Sequence, residues 1–181
     1  MKNSKIQLHA TICIVAFSLL IASACVKKKN NEEELITTVK LHVQQKGFVG
    51  VDTYVWRDKD GPGGSDPDRT DTVYLDSGRI YVVTAFFLNE SGSSPVDITS
   101  EIKAEGAEHR VCMETGTAGI IDFNITDTDG KYPIGLESEW NTLLRKKSQL
   151  RVNLRHQPDS KDGTCNPGES DVDVTFPLWV R

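Results

Sequence analysis

The sequence predicts an all-β fold, an antiparallel immunoglobulin-like β-sandwich with one short helix. Three observations predict it. From Leu35 onward apolar side chains recur with a period of two, not 3.6. Clusters of Gly, Pro, Asp and Asn punctuate the chain at near-regular spacing. The series of helical crossovers that a parallel sheet requires is missing.

Each element follows from its own pattern. Leu35, Thr37, Val39, Leu41 and Val43 alternate with Ile36, Thr38, Lys40 and His42, and Gln45, Lys46 and Gly47 make a turn. Val49, Val51, Thr53 and Val55 then alternate with Gly50, Asp52, Tyr54 and Trp56, so 35–56 reads as a hairpin. A loop rich in Gly, Pro and Asp spans 58–68. Residues 70–75 form a short strand, 76–78 a turn and 79–89 a longer strand. Both faces of 79–89 are apolar, which predicts a central strand covered on both sides. Asp97 is placed to cap a short helix running to about Glu108, with Ile98 and Ile102 inward. Strands are expected at 109–113, 120–126, 134–140, 150–156 and 172–180, with a turn at 127–130. The last two alternate cleanly. Leu150, Val152 and Leu154 oppose Arg151, Asn153 and Arg155, and Val172, Val174, Phe176, Leu178 and Val180 oppose Asp171 and Asp173.

The N-terminus has a different character. Lys2 and Lys5 precede an apolar stretch over 10–22, which ends in Ile21-Ala22-Ser23-Ala24-Cys25. That layout predicts a secretory signal peptide over 1–24. The stretch is short of the ~20 apolar residues that a spanning helix needs. Small residues before Cys25 resemble a lipoprotein box, with Ala22 standing where Leu is usual. The resemblance implies that Cys25 is acylated, with palmitate or a similar chain, and becomes the mature N-terminus. A plain signal peptide, or an uncleaved anchor with a chance cysteine, is the alternative. Residues 25–34, with Lys27, Lys28 and Lys29 ahead of Glu32, Glu33 and Glu34, form a charged tether that has nothing to bury. Residues 35–181 are then the sandwich domain.

Composition bounds the function. The chain has 181 residues, 38% of them apolar, and a net charge of −5. Loss of the first 24 residues leaves 157, and takes Lys2 and Lys5 from 21 basic residues against 26 acidic ones, giving −7. That is too apolar for a disordered chain and too acidic for a nucleic-acid surface. The expected partners are a membrane, through the lipid anchor, and an outer-membrane protein such as a receptor or transporter. Attachment to the outer membrane of the cell envelope is expected. Acidic residues soon after the lipidated cysteine direct surface export in many similar lipoproteins; here lysines come first, and periplasmic and surface-facing orientations both stay open.

Several residues invite chemistry. Cys112 and Cys165 are an even pair in a compartment that permits disulfides. A bond between them closes a loop of about 54 residues, nominally worth about 4 kcal/mol. Free thiols and a thiolate metal site are the alternatives, the latter without a CxxC spacing. His109 is in phase with Val111, and His156 with Leu154, which places both at strand ends facing the core. Hydrogen-bonded rim histidines are the simpler reading. Together with Glu90 they make the alternative, a zinc or copper site. Asp58, Asp60, Asp66 and Asp68 are hard oxygen donors of the kind calcium takes, although Pro62 interrupts the ligand spacing and a solvated turn explains them equally. Asp127 and Asp129 read as a tight turn, with a calcium ligand role as the alternative. Tyr54, Trp56, Tyr81, Phe87, Trp140 and Trp179 are chiefly core, with an exposed aromatic surface as the alternative. The chain carries no GxSxG, no activated Cys/His pair and no phosphate loop, so no enzyme activity and no cofactor is expected.

Seven segments recur together in order: 33–39, 56–61, 88–91, 97–102, 127–130, 133–136 and 154–158. They resemble a family of small Bacteroidetes lipoproteins labelled "type 1 periplasmic binding fold superfamily". The resemblance covers nearly the whole mature chain and implies an envelope lipoprotein without an assigned biochemical activity. Proteins to which that label properly applies have two α/β lobes on parallel sheets; the alternation in this chain predicts antiparallel strands instead. The family tends to have an aromatic residue at the position of Cys112, and Cys165 lies in its variable late loop, so a disulfide is a local addition. The expectation is a lipid-anchored binding or accessory module. A zinc- or copper-binding lipoprotein using His109 and His156 is the alternative.

Overall fold

The computed structural model describes residues 35–61 and 63–181. The expected signal peptide over 1–24, lipidation at Cys25 and tether over 25–34 all lie outside the described residues. The described chain belongs to one compact unit.

Two sheets form the fold. The first holds β1 (Thr38–Gln45), β2 (Asp52–Arg57), β3 (Arg69–Thr70), β5 (Ile80–Asn89), β6 (Val96–Asp97), β8 (Ile121–Ile125) and β9 (Glu137–Thr142). Its order is β3-β2-β1-β5-β9-β8, with β6 paired to the end of β5. The second, in the order β4-β11-β10-β7, holds β4 (Val73–Leu75), β7 (His109–Thr115), β10 (Lys146–His156) and β11 (Glu169–Val180). Every pairing is antiparallel except β4 with β11. A short helix, α1 (Thr99–Ala104), follows β6. The all-β antiparallel sandwich is therefore present.

The core is built from alternate residues of both sheets. Val39, Leu41, Val83, Ala85, Phe87 and Trp140 from the first sheet meet Val111, Leu150, Val152, Leu154, Val174 and Phe176 from the second, all buried. Strand alternation decides which residues these are, because successive side chains leave opposite faces. The fully buried Trp140 keeps its indole N–H satisfied by donating to Ser138 Oγ at 2.8 Å.

The expected elements need six corrections. β5 is central but covered on one side only: Tyr81, Val83, Ala85 and Phe87 are buried, whereas Ile80 and Val82 face solvent. Segment 70–75 is two strands in different sheets. Asp71 divides them: its carboxylate accepts the Val55 N–H at 2.9 Å and holds Arg69, so the chain turns the corner between the layers there. The helix stops at Ala104, because Gly106 packs against Ile134, where a Cβ would stand 2.6 Å from Ile134 Cδ1. Asp97 does not cap that helix as its N-cap residue; it accepts the Thr99 N–H one step earlier. In 134–140 the ladder begins only at Glu137, since the Gly135 and Leu136 N–H groups are taken by the Asp127 carboxylate at 2.7 and 3.0 Å. The sixth correction concerns 49–51, which belongs to no strand.

The strand directions define two ends. β1 starts at the proximal end, beside Leu35, and stops at the distal end at Gln45. Loops 58–68, 90–95, 105–108, 126–136 and 157–168 gather proximally. Loops 46–51, 76–79, 116–120 and 143–145 gather distally.

Candidate functional site: the distal end of the sandwich

The β1–β2 connection is where the sequence pattern misleads. Gly47 takes φ +88°, a left-handed conformation that favours glycine, and turns the chain out of β1. Phe48 N–H donates to Gln45 O at 3.0 Å, and Gln44 Nε2 donates to Phe48 O at 2.6 Å. The loop is thereby closed on itself before pairing resumes at Asp52. Its apolar side chains find no core: Phe48 is 63% exposed, Val49 98% and Val51 51%, with Leu143 at 48% and Leu144 at 53% in loop 143–145.

The backbone under these tips is well fixed. Lys46 N–H donates to Ile80 O at 2.8 Å, joining the β1 end to the start of β5. Gly78 N–H donates to Thr142 O at 2.9 Å and Leu143 N–H to Ile120 O at 2.8 Å. Thr142 Oγ1, fully buried, accepts the Arg79 N–H at 2.9 Å. Ser77 N–H donates to Arg181 O at 2.7 Å, which ties the second sheet to the same end. Exposed apolar tips thus stand on an ordered base.

Cations predominate at this end, with Asp76 and Glu139 among the acids beside them. Lys46, Arg79, Arg145, Lys146, Lys147 and Arg181 are exposed there. Lys46 pairs with Glu139 at 2.5 Å and Arg181 with Asp76 at 3.3 Å. Lys147 lies over the Trp179 ring at 4.4 Å. Among the described residues no carboxylate pairs with Arg79, Arg145 or Lys146. Several exposed apolar tips at one end of a fold, with cations beside them, mark an interaction site more often than an isolated exposed leucine does.

The residues singled out from the sequence lie elsewhere. His109 and His156 do come together: paired across β7 and β10, their rings stack with centroids 4.9 Å apart and planes 10° apart. Nearly parallel rings direct their in-plane nitrogen lone pairs along parallel planes, so the two cannot converge on one ion without turning. His109 Nδ1 donates to Glu105 O at 3.2 Å, and Nε2 stands 3.8 Å from Asp171 Oδ2. His156 Nε2 is 3.7 Å from Glu108. Burial pushes the His109 pKa down, against the opposing pull of the Glu105 carbonyl. Glu90 is on the other sheet, bound to Lys40 at 3.4 Å and Arg57 at 3.7 Å. Burial would raise its pKa, but these cations hold it below the usual carboxylate value. Among the described residues no group of three or more His, Cys, Asp or Glu is arranged to hold a metal ion.

The aspartates of 58–68 mostly brace their own loop. Asp60 Oδ2 accepts the Ser65 N–H at 3.1 Å, and Asp68 Oδ2 accepts the Lys59 N–H at 3.0 Å. Asp58 is buried, its pKa raised by that burial and by the neighbouring Asp60 carboxyl. Asp66 is exposed.

Cys112 and Cys165 lie at disulfide distance, with Cα atoms 6.0 Å apart, and tie loop 157–168 to β7. They line a cleft of about 280 Å³ with Met113, Arg151, Asn153 and Arg155. Its arginines are already engaged. Arg151 binds Asp173 and Glu114, and Arg155 donates to Ser170 Oγ and to the Pro167 and Gly168 carbonyls.

Two features escape a reading of the sequence. Lys161 and Asp129, both almost buried, pair at 2.8 Å although 32 residues separate them. The distal tips are the second; Phe48 beside Gly47 was the one local signal for them.

Comparison with known proteins gave no match. No family model, no curated protein and no solved structure is similar to this chain.

Proposed function

We propose that this protein is a lipid-anchored binding module of the cell envelope, and that its docking surface is the distal end of the sandwich. The observation that carries this reading is the exposure of Phe48, Val49, Val51, Leu143 and Leu144 at one end of the sandwich, where Arg79, Arg145 and Lys146 have no carboxylate partner among the described residues. Leaving such apolar tips in water has no structural benefit, since the loops close through backbone hydrogen bonds and polar side chains such as Gln44, not through the tips. The sequence supports anchoring: Cys25 follows a signal-like segment, and the resemblance to small Bacteroidetes lipoproteins points the same way. A tethered head restricted to a membrane surface needs only one modest contact to stay engaged, because the anchor raises its effective concentration.

Two variants of the full chain test the two halves of this reading. Cys25→Ser is expected to abolish incorporation of labelled palmitate and to move the protein to the soluble fraction. Unchanged labelling and fractionation would remove the anchor. For the docking surface, trypsin cuts after Lys46, Arg145 and Lys146, and these sites are expected to be protected at least tenfold in isolated envelopes relative to detergent. Phe48→Asp with Leu144→Asp is expected to abolish that protection. Equal cleavage in envelopes and detergent would sink the docking surface.

A further inference from the structure

We infer that the distal end docks onto a bilayer surface carrying anionic phospholipid headgroups, through Phe48, Val49, Leu143 and Leu144 as apolar wedges and Arg79, Arg145 and Lys146 as headgroup contacts. This rests on the docking-surface reading and names the chemistry of what is docked upon.

The form of the surface favours a bilayer. Val49 is 98% exposed and Phe48 63%, so these side chains project from a loop tip instead of lining a groove. Projecting tips suit a fluid interface, which closes around them; a protein partner would have to offer a shaped pocket to each. An apolar element flanked by Lys and Arg is the composition that lies at the headgroup and acyl-chain boundary. The cations are not spent internally: Arg79, Arg145 and Lys146 are exposed and have no carboxylate partner among the described residues.

Charge also sets the orientation. The proximal end carries Asp58, Asp60, Asp66, Asp68, Glu90 and Asp97 in or beside its loops, so an anionic surface repels that end and attracts the other. Reach is sufficient. Residues 25–34 can span up to about 35 Å when extended, close to the length of an eleven-residue strand such as β10. A lipid on Cys25 and the distal tips can therefore meet the same bilayer. An acyl chain with a basic patch is the two-signal combination that makes membrane attachment stable.

Amide hydrogen exchange on the acylated full chain tests the inference. It is measured in detergent, in phosphatidylcholine vesicles, in vesicles of phosphatidylcholine with one quarter phosphatidylglycerol, and in native envelopes. Exchange at 46–51 and 143–145 is expected to slow at least fivefold in the phosphatidylglycerol vesicles only. That slowing should disappear in 0.5 M salt and in Arg145→Glu with Lys146→Glu. Protection of β10 and β11 in the same spectra reports that the variant is folded. Unchanged exchange in the anionic vesicles overturns the inference, as does slowing that persists after charge reversal. Protection that arises only in native envelopes overturns the bilayer while leaving the docking surface, with a protein partner, in place.

Discussion

At the proximal end of the sandwich, many polar loop side chains serve as braces, some within one loop and some between two. At the distal end the loops are closed largely by main-chain hydrogen bonds, and their apolar side chains are left to solvent. Lys161 illustrates the first. Its ammonium reaches Gly106 O at 2.6 Å and Asp129 at 2.8 Å, joining loop 157–168 to the segment after α1 and to the 126–136 loop. Gln157 adds donations to Thr164 O and Pro167 O, and Cys112–Cys165 ties the same loop to β7. Phe48 and Leu143 illustrate the second, each with a hydrogen-bonded main chain and an exposed side chain. Polar residues spent on bracing leave an end chemically quiet. Apolar and basic residues spent on nothing inside the fold mark an end available to something outside it.

The comparison can be broken at its strongest brace. Replacing both Cys112 and Cys165 by Ser is expected to cost about 4 kcal/mol of stability in urea unfolding. It should leave the exchange rates of 46–51 unchanged. A cost near zero would mean that the bond contributes little beyond the polar braces of the same loop.

Lys161→Met comes next. It leaves the nearly buried Asp129 carboxylate without its cation, a change expected to cost about 3 kcal/mol. The pH dependence follows from the same pair. Burial would raise the Asp129 pKa, but Lys161 and the Tyr132 and Lys131 N–H groups outweigh it and hold the group down to about 2. A carboxyl with a depressed folded-state pKa stabilises fully above its unfolded value of about 3.9. That contribution is lost as pH falls through about 2. Unfolding free energies between pH 5 and 2 should therefore decline in the parent protein, and the Asp129 part of the decline should vanish in Lys161→Met. An identical decline in both would remove the assignment.

How much of this was legible is seen in particular residues. The alternation in β10 and β11 placed Leu150, Val152, Leu154, Val174 and Phe176 in the core, because a long strand with one covered face writes its burial directly into the sequence. The same rule failed at Val49 and Val51. Their spacing is that of a strand, yet Gly47 directs the chain into a loop, and only pairing partners distinguish the two outcomes. The stacking of His109 on His156 was also out of reach, since it depends on the register of β7 against β10. Lys161 with Asp129 is a contact between two loops, for which no local period exists. Long-range polar pairs are fixed by topology, and a single sequence does not carry that.

The smallest effect on stability is predicted for the region assigned the largest effect on binding. Phe48→Asp with Leu144→Asp is expected to change the unfolding free energy by less than about 0.5 kcal/mol, as exposed positions outside the core do. A loss above about 2 kcal/mol would show that these side chains serve the fold after all.

The most direct measurement places a photo-crosslinking amino acid at Val49 at the distal end or at Asp159 at the proximal end of the full chain in intact cells. Adducts with an envelope component are predicted at Val49, reduced at least tenfold when Phe48→Asp and Leu144→Asp are added, with none at Asp159. Equal adducts at the two positions, or none at Val49, would contradict the distal end as the docking surface.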